Sequence, residues 1–235
     1  MIKIVVIFLV VLVSFPLYGF GRFKIDGYFG VGGVSGEMFD IEKKIASSIY
    51  VIFTDGTKKQ LKVDHSLVTT GPKIEYMIDP YIGIGLEYSY NEIIQRSDFE
   101  IGYQNESGTY MALHNLLLNL NCHFFKGRKD LYISLIGGYG TGKMEAIVVA
   151  KKIPGIDQFD TTAHISSLNY GLATGYAYRL RSYNIEFVKN LFFYVRLKYL
   201  AGNYKTDPQV YSKGDKFFSS SIDLDFGMGM VLFDS

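Results

Sequence analysis

A histidine and a serine two positions apart, His164 and Ser166, are the residues of this sequence whose types and spacing best suit nucleophilic chemistry. A histidine base can activate a serine hydroxyl when a carboxylate orients the imidazole ring. The first acidic residue that follows the pair is Glu186, which lies across a predicted inner turn from it. Unless an acid from a distant loop serves, the pair has no orienting carboxylate, and the sequence predicts no catalytic residue.

Other features do not match known binding chemistry. The glycine-rich run from Gly137 to Lys143 lacks the spacing of a phosphate-binding loop, and no predicted helix follows it. The four histidines lie on separate segments without metal-ligand spacing. A net charge of +1 leaves no basic surplus to neutralise nucleic-acid phosphates. The sequence therefore predicts no cofactor, no metal ligand and no nucleic-acid partner.

Polar residues are carried instead by strands with a two-residue period. In the segment Ile222–Phe233, apolar residues alternate with Asp223, Asp225, Gly227 and Gly229. A strand of about 9 to 11 residues with one apolar and one polar face is the unit of a transmembrane barrel. Helical spans are not predicted, since past residue 21 no apolar run reaches the roughly 18 residues that a spanning helix needs.

Seven further segments alternate in the same way, which predicts an all-β fold. The predicted strands are Arg22–Gly33, Ser66–Ile78, Pro80–Tyr90, Met111–Phe125, Leu131–Gly142, His164–Leu180, Leu191–Asn203 and Phe217–Phe233. We therefore predict an eight-stranded antiparallel up-and-down transmembrane β-barrel.

The predicted connections alternate in length, with short inner turns and long outer loops, as in membrane barrels. The short ones are Asp79-Pro80, Lys126–Asp130 and Arg181–Lys189. The long, charged ones are Val34–His65, Asn91–Thr109, Lys143–Ala163 and Lys205–Lys216.

The first long connection is predicted to contain its own hairpin, because Ile49–Phe53 and Leu61–Val63 flank an Asp-Gly turn signal. Placing that hairpin in the wall would give ten strands but leave only Lys73–Ile78 for one crossing, which is too short for a bilayer. Eight strands are therefore preferred. Pro72 lies inside the second strand and predicts a bulge or an early strand end.

The two faces of the strands differ in size and polarity. Large apolar residues such as Ile84, Leu118 and Val195 share one face and small residues share the other, so we expect the large face to meet lipid. A soluble barrel with the apolar face inward is the alternative. The lumen charges predicted by the same parity are Lys24, Asp26, Lys73, Glu75, Glu87, Arg179, Arg196, Lys198, Asp223 and Asp225. Because buried charges need partners, this set predicts a plug of salt bridges.

The start of the chain has the pattern of an export signal. Lys3 precedes an apolar run from Ile4 to Phe15, and small residues flank Phe20. We predict a cleaved secretory signal at residues 1–21, followed by one barrel domain at 22–235. A membrane anchor is the alternative, but the apolar run of about 12 residues is shorter than a spanning helix.

These features together resemble the small outer-membrane β-barrel superfamily that includes the OmpA transmembrane domain, OmpX and OmpW. The resemblance rests on the signal, the eight strands, the loop lengths and the terminal pattern Gly227-x-x-Met230-x-Leu232, and it implies a bacterial outer-membrane protein. In that superfamily the last strand is read by the barrel-assembly machinery. The resemblance assigns this signal to Gly227, Met230, Leu232 and Phe233, although Phe226 stands where a polar residue is usual.

The pair His164 and Ser166 also resembles the His-x-Ser of the lipid A deacylase family, in which an asparagine normally follows the serine. Here Ser167 follows, so a lipid A-modifying enzyme is a distant alternative. We expect a non-enzymatic protein of envelope integrity or surface interaction, with outer-membrane lipid as a partner and long loops that meet an extracellular ligand. The other expectation is a narrow passage for small or apolar solutes. A lumen closed by paired charges favours the first, and an apolar upper cavity with a lateral opening favours the second.

Overall fold

The computed structural model describes residues 22–37, 50–52, 58–60, 63–101, 103–125, 128–149, 159–180, 188, 190–206 and 216–232. The strands are β1 (Arg22–Gly36), β2 (Tyr50–Ile52), β3 (Lys58–Gln60), β4 (Val63–Met77), β5 (Ile82–Ile101), β6 (Tyr103–His123), β7 (Lys129–Val149), β8 (Phe159–Arg179), β9 (Leu191–Thr206) and β10 (Lys216–Leu232). Within these ranges, no helix is long and apolar enough to span a bilayer.

Eight of these strands close into a barrel in the order β1-β10-β9-β8-β7-β6-β5-β4. Each neighbouring pair is antiparallel, and β1 closes the barrel by pairing with β10 on one side and β4 on the other. The predicted eight-stranded antiparallel barrel is confirmed. Among the described residues the strands β2 and β3 pair only with each other, which confirms a hairpin outside the wall. Its second strand is Lys58–Gln60 and not the predicted Leu61–Val63, because Val63 already begins β4.

Two of the predicted long loops are wrong in extent. The ladder between β5 and β6 continues to the pair Ile101 and Tyr103, so the segment Asn91–Thr109 is almost entirely strand. In the same way β7 and β8 extend through most of Lys143–Ala163. In these segments polar residues occur on both faces, so the two-residue alternation of apolar and polar residues is not visible in the sequence. The strands form nevertheless, because the backbone hydrogen bonds of a ladder do not depend on side-chain polarity.

The bulge or early strand end predicted at Pro72 is also wrong. The pairing of β4 with β5 skips Gly71 and Pro72, but the register is the same on both sides of the gap. Proline has no N–H to donate, so the ladder is interrupted only locally. Gly71 permits the close approach of the two strands, since a Cβ there would lie 1.8 Å from the carbonyl oxygen of Tyr88.

The outer surface of the barrel is apolar. Leu118 is 50% exposed and Phe226 is 51% exposed, although both lie in the middle of regular strands. The lumen side of the same strands is buried. A face of this kind is stable against lipid, so the prediction of a transmembrane barrel holds and the soluble alternative is wrong.

Aromatic residues border this surface at both ends. At the end that contains the short connections, here called the short-loop end, the exposed aromatic residues include Tyr81, Phe124, Phe125 and Tyr178. Toward the opposite, long-loop end they include Tyr88, Tyr139, Tyr170 and Tyr199. Such girdles are typical of residues at the membrane–water interface.

The lipid-facing assignment predicts the effect of a charge at Leu224, which is 40% exposed on the outer face of β10. Leu224→Arg should lower the free energy of unfolding by about 2 to 4 kcal/mol, because arginine is costly near the bilayer midplane. The measurement is denaturant titration of the barrel refolded in lipid vesicles. Asn203→Arg, at an exposed outward position beyond the tyrosines, is the control and should change stability little. Equal effects of the two variants would contradict the assignment.

Candidate functional site

The lumen contains successive layers of different chemistry. Along β9 from the short-loop end, the inward residues are Phe192 and Tyr194, then Arg196 and Lys198, then Leu200. The other strands contribute to the same sequence of layers. The layers are a polar mouth, a central charge cluster, a neutral polar layer and an apolar layer.

At the mouth, the carboxylates of Glu75 and Asp130 share contacts with Lys24 and His123, and these four residues are here called the mouth cluster. Oε2 of Glu75 lies 3.2 Å from Nζ of Lys24. Nε2 of His123 contacts Oε1 of Glu75 at 2.8 Å, and its Nδ1 contacts Oδ2 of Asp130 at 2.7 Å. Asn121 donates a further hydrogen bond to Glu75. The histidine ring therefore bridges two carboxylates.

A cavity of about 320 Å³ opens beside the mouth cluster. Lys73, Asp26 and Arg179 line it, together with the aromatic side chains of Tyr132 and Tyr194. The guanidinium of Arg179 also donates to Oδ1 of Asn190 at 2.7 Å.

Above the cavity lies the central charge cluster, formed by Glu87, Arg196, Lys198, Asp223 and Asp225, all 0% exposed. Arg196 donates to Oε2 and Oε1 of Glu87 at 2.7 and 2.9 Å, and its Nε donates to Asp225 at 2.8 Å. Lys198 Nζ lies 3.1 Å from Oδ2 of Asp223. Such bidentate and multiple pairing is what burial of these charges requires.

Strand register explains part of this cluster. Asp225 is the direct cross-strand partner of Arg196, and Asp223 is that of Lys198. Glu87 comes from β5, which lies opposite β9 in the closed strand order. The bond between Arg196 and Glu87 therefore crosses the lumen.

Tyr28 completes the cluster on the side of β1. Its hydroxyl donates to Oε1 of Glu87 at 2.7 Å, and the guanidinium carbon of Arg196 lies 4.7 Å from the centre of its ring. Both contacts favour the charged groups. The cluster is not fully satisfied, because both carboxylate oxygens of Asp223 lack a partner with hydrogen-bond geometry among the described residues, despite the short ion pair to Lys198.

Neutral polar side chains form the next layer. Thr69 and Ser89 donate to Oδ1 of Asn91 at 3.0 and 2.6 Å. Asn169 donates to Oδ1 of Asn115 at 2.8 Å. These amides and hydroxyls largely satisfy one another and separate the charges from the apolar layer.

The apolar layer closes the lumen at the long-loop end. Its buried members are Leu67, Ile93, Met111, Leu113, Met144, Ala163 and Ile165. Met111, one of the largest, is 2% exposed, so this part of the lumen is packed as the core of a soluble protein is. Sequence reasoning missed this layer. The layer could have been recognised from apolar residues at the alternate positions that face the lumen. Several of these residues lie in segments that were predicted to be loops.

The structure places all ten predicted lumen charges inside the barrel but divides them between two groups. Those at the mouth and cavity are Lys24, Asp26, Lys73, Glu75 and Arg179. Those of the central charge cluster are Glu87, Arg196, Lys198, Asp223 and Asp225. The sequence predicted a single plug of salt bridges, whereas the structure has a closed central charge cluster and, beside it, a separate cavity.

Of the residues assigned to the assembly signal, Gly227, Met230 and Leu232 lie on β10. Gly227 faces the lumen, where a Cβ would lie 2.2 Å from the ring of Tyr194. Met230 and Leu232 are partly buried, and Phe233 lies outside the described residues. The predicted signal peptide, residues 1–21, lies outside them as well.

The pair that suggested nucleophilic chemistry is not in the lumen. His164 and Ser166 lie on the outward face of β8, where the histidine is exposed and the serine is partly buried. Within the described part of the chain, neither side chain makes a hydrogen bond or an ion pair. This geometry does not assemble a triad.

No family model and no curated protein matches this chain in sequence. Solved structures with a similar course of the chain include the outer membrane protein OprG of Pseudomonas aeruginosa, with 13% identity, a TM-score of 0.46, and coverage of 91% of this chain and 96% of that one. Another is the attachment invasion locus protein Ail of Yersinia pestis, solved with the heparin analogue sucrose octasulfate, with 12% identity, a TM-score of 0.43, and coverage of 91% and 100%. A third is Neisserial surface protein A, with 11% identity, a TM-score of 0.37, and coverage of 88% and 96%. At these values the likeness bears on none of the residues in the lumen.

The central charge cluster predicts a large cost for removing one of its members. Arg196→Met leaves Glu87 and Asp225 buried without their guanidinium, which should lower the free energy of unfolding by about 3 to 5 kcal/mol. Urea titration in lipid vesicles measures it. The double variant Glu87→Gln, Arg196→Met should recover part of the loss, because it removes both charges of the bridge. Lys143→Met, at an exposed position, is the control, and a loss in Arg196→Met no larger than in this control would refute the prediction.

Proposed function

We propose that this chain, which has the closed eight-stranded fold of the small outer-membrane β-barrels, is a non-conducting scaffold of the bacterial outer membrane. Its role is structural or is carried by the long-loop end, whose connections meet partners outside the cell. The apolar outer belt with its aromatic borders supports the membrane location. Outer-membrane lipid and the barrel-assembly machinery are the partners this proposal requires.

The observation that carries the proposal is the closure of the lumen by the central charge cluster. Arg196, Glu87 and Asp225 are 0% exposed, and Arg196 bonds to Glu87 across the barrel and to Asp225 on the neighbouring strand. An ion moving through the lumen would have to break these bonds and expose buried charges. A closed lumen of this kind therefore supports a structural role and not ion conduction.

The apolar layer argues against the alternative of a passage for apolar solutes. That function needs an upper cavity, whereas Leu67, Leu113 and Ile165 are each 1% exposed and pack against one another. Beyond them, the ladder of β5 and β6 continues to Ile101 and Tyr103 and raises the wall. Binding surfaces of rigid scaffolds commonly lie on the connecting segments, which supports a role for this end.

Planar-bilayer recording tests the closed lumen. The refolded protein should produce little or no steady conductance, because its central charge cluster leaves no continuous path. A well-characterised open porin inserted by the same procedure is the control for reconstitution. Large, stable channels from this protein would contradict the proposal.

We also propose that the protein is not an enzyme. The outward position of His164 and Ser166, without an orienting carboxylate bonded to the histidine among the described residues, supports it. Ser166→Ala and His164→Ala should leave lipid A acylation unchanged when it is measured by mass spectrometry in cells that express each variant. Loss of a deacylated species in both variants but not in Ser220→Ala would overturn this part of the proposal.

A further inference from the structure

We propose that the cavity at the short-loop end binds a small zwitterion with an apolar group, such as an α-amino acid or a short peptide, through Lys73 and Asp26. The carboxylate of the ligand would meet the ammonium of Lys73, and its ammonium would meet the carboxylate of Asp26. This binding site is additional to the scaffold function and does not depend on it.

The first observation is that two neighbouring side chains of opposite charge do not form a salt bridge. Lys73 and Asp26 are direct cross-strand partners on β4 and β1, and both side chains face the lumen. They are 4% and 6% exposed, yet no salt bridge within 4.0 Å joins them. The two charges attract each other only at longer range, so a ligand that bridges them would supply the short contacts of opposite charge that they do not make with each other.

Each of the two side chains is held by an aromatic neighbour instead. Nζ of Lys73 lies 5.4 Å from the centre of the Tyr132 ring and makes no hydrogen bond or ion pair with the described residues. Oδ1 of Asp26 accepts a hydrogen bond from Tyr194 at 2.7 Å, which leaves Oδ2 without one. Both therefore present unused hydrogen-bonding capacity to the cavity.

Four other charged or titratable groups at the mouth are paired with one another. Lys24 and His123 are shared between Glu75 and Asp130 through contacts of 2.7 to 3.7 Å. Asp79, Arg128 and Arg179 also line the cavity, so a ligand meets charges of both signs there, with Lys73 and Asp26 the two that have no ion-pair contact within 4.0 Å among the described residues. A molecule that carries both charges satisfies the site without leaving either group buried alone.

The walls suit an apolar group beside the charges. Phe192 and Tyr194 stack with ring centres 6.2 Å apart, and Met77 and Val231 also line the cavity. Gly229 makes room for this wall, since a Cβ there would lie 2.6 Å from the ring of Phe192. Apolar surface with a few convergent polar groups is typical of small-molecule sites.

The volume limits the size of the ligand. A cavity of about 320 Å³ lies at the lower end of known ligand sites, which range from roughly 300 to 1,000 Å³. Farther along β9, the next inward residues are Arg196 and Lys198 of the central charge cluster. The ligand therefore enters and leaves by the short-loop end and does not cross the barrel.

Three probes with the same branched side chain test the charge requirement by calorimetry on the refolded full-length barrel. Leucine carries both charges, 4-methylpentanoate lacks the ammonium, and 3-methylbutylamine lacks the carboxylate. Leucine should bind at least about ten-fold more tightly than either analogue, because each analogue lacks the short contact of opposite charge with either Lys73 or Asp26. Equal affinities for the three probes, or no saturable leucine binding, would overturn the proposal.

Two variants assign the charges to their residues. Lys73→Met should remove the preference for leucine over 3-methylbutylamine, and Asp26→Asn should remove its preference over 4-methylpentanoate. Lys143→Met, exposed on the outer face, is the matched control and should keep both preferences. If the variants also keep both preferences, the site is elsewhere and the proposal is wrong.

A second measurement covers a variant that does not fold, as judged by gel mobility before and after heating. The ¹⁵N resonance of the Lys73 ammonium in the unaltered protein should shift on titration with leucine and should follow the calorimetric saturation. An unchanged resonance at saturating leucine would overturn the proposal even if leucine binds. The closed lumen is tested separately by bilayer recording, so the two proposals fail independently.

Discussion

The salt bridge between Arg196 and Glu87 is the interaction on which the rest of the lumen depends. It joins β9 to β5 on the opposite wall of the barrel, through two hydrogen bonds of 2.7 and 2.9 Å. A bidentate pair tolerates little displacement, so it holds the two walls at one height and one separation. A buried ion pair contributes little more to stability than a well-packed apolar pair would in its place. We therefore infer that the role of this salt bridge is to specify the arrangement of the lumen.

The layers on either side follow from that contact. Toward the long-loop end, neutral amides lead to the apolar layer, where no charge needs a partner. Toward the short-loop end, the aromatic side chains Tyr194 and Phe192 fit only because β10 supplies Gly227 and Gly229 opposite them. The glycines of the terminal strand thus have a packing reason of their own, apart from any signal that the assembly machinery reads.

Much of the fold was predictable because a strand alternates its side chains with a period of two, which is a local property. That period identified eight strands and placed Asp223 and Asp225 in the lumen. It failed where polarity stopped marking the faces, as in Asn91–Thr109, where the ladder continues through polar residues. It failed also at Pro72, since the neighbouring residues keep the register across a short interruption.

The sequence by itself determined the barrel, the number of strands and the face on which each charge lies. Only the tertiary structure decided which charges are partners. Glu87 meets Arg196, 109 residues away, whereas Lys73 and Asp26 stand directly opposite and form no salt bridge. The physical reason is that side-chain parity is set within each strand, but the height of a residue in the lumen depends on the stagger of all strands around the closed barrel.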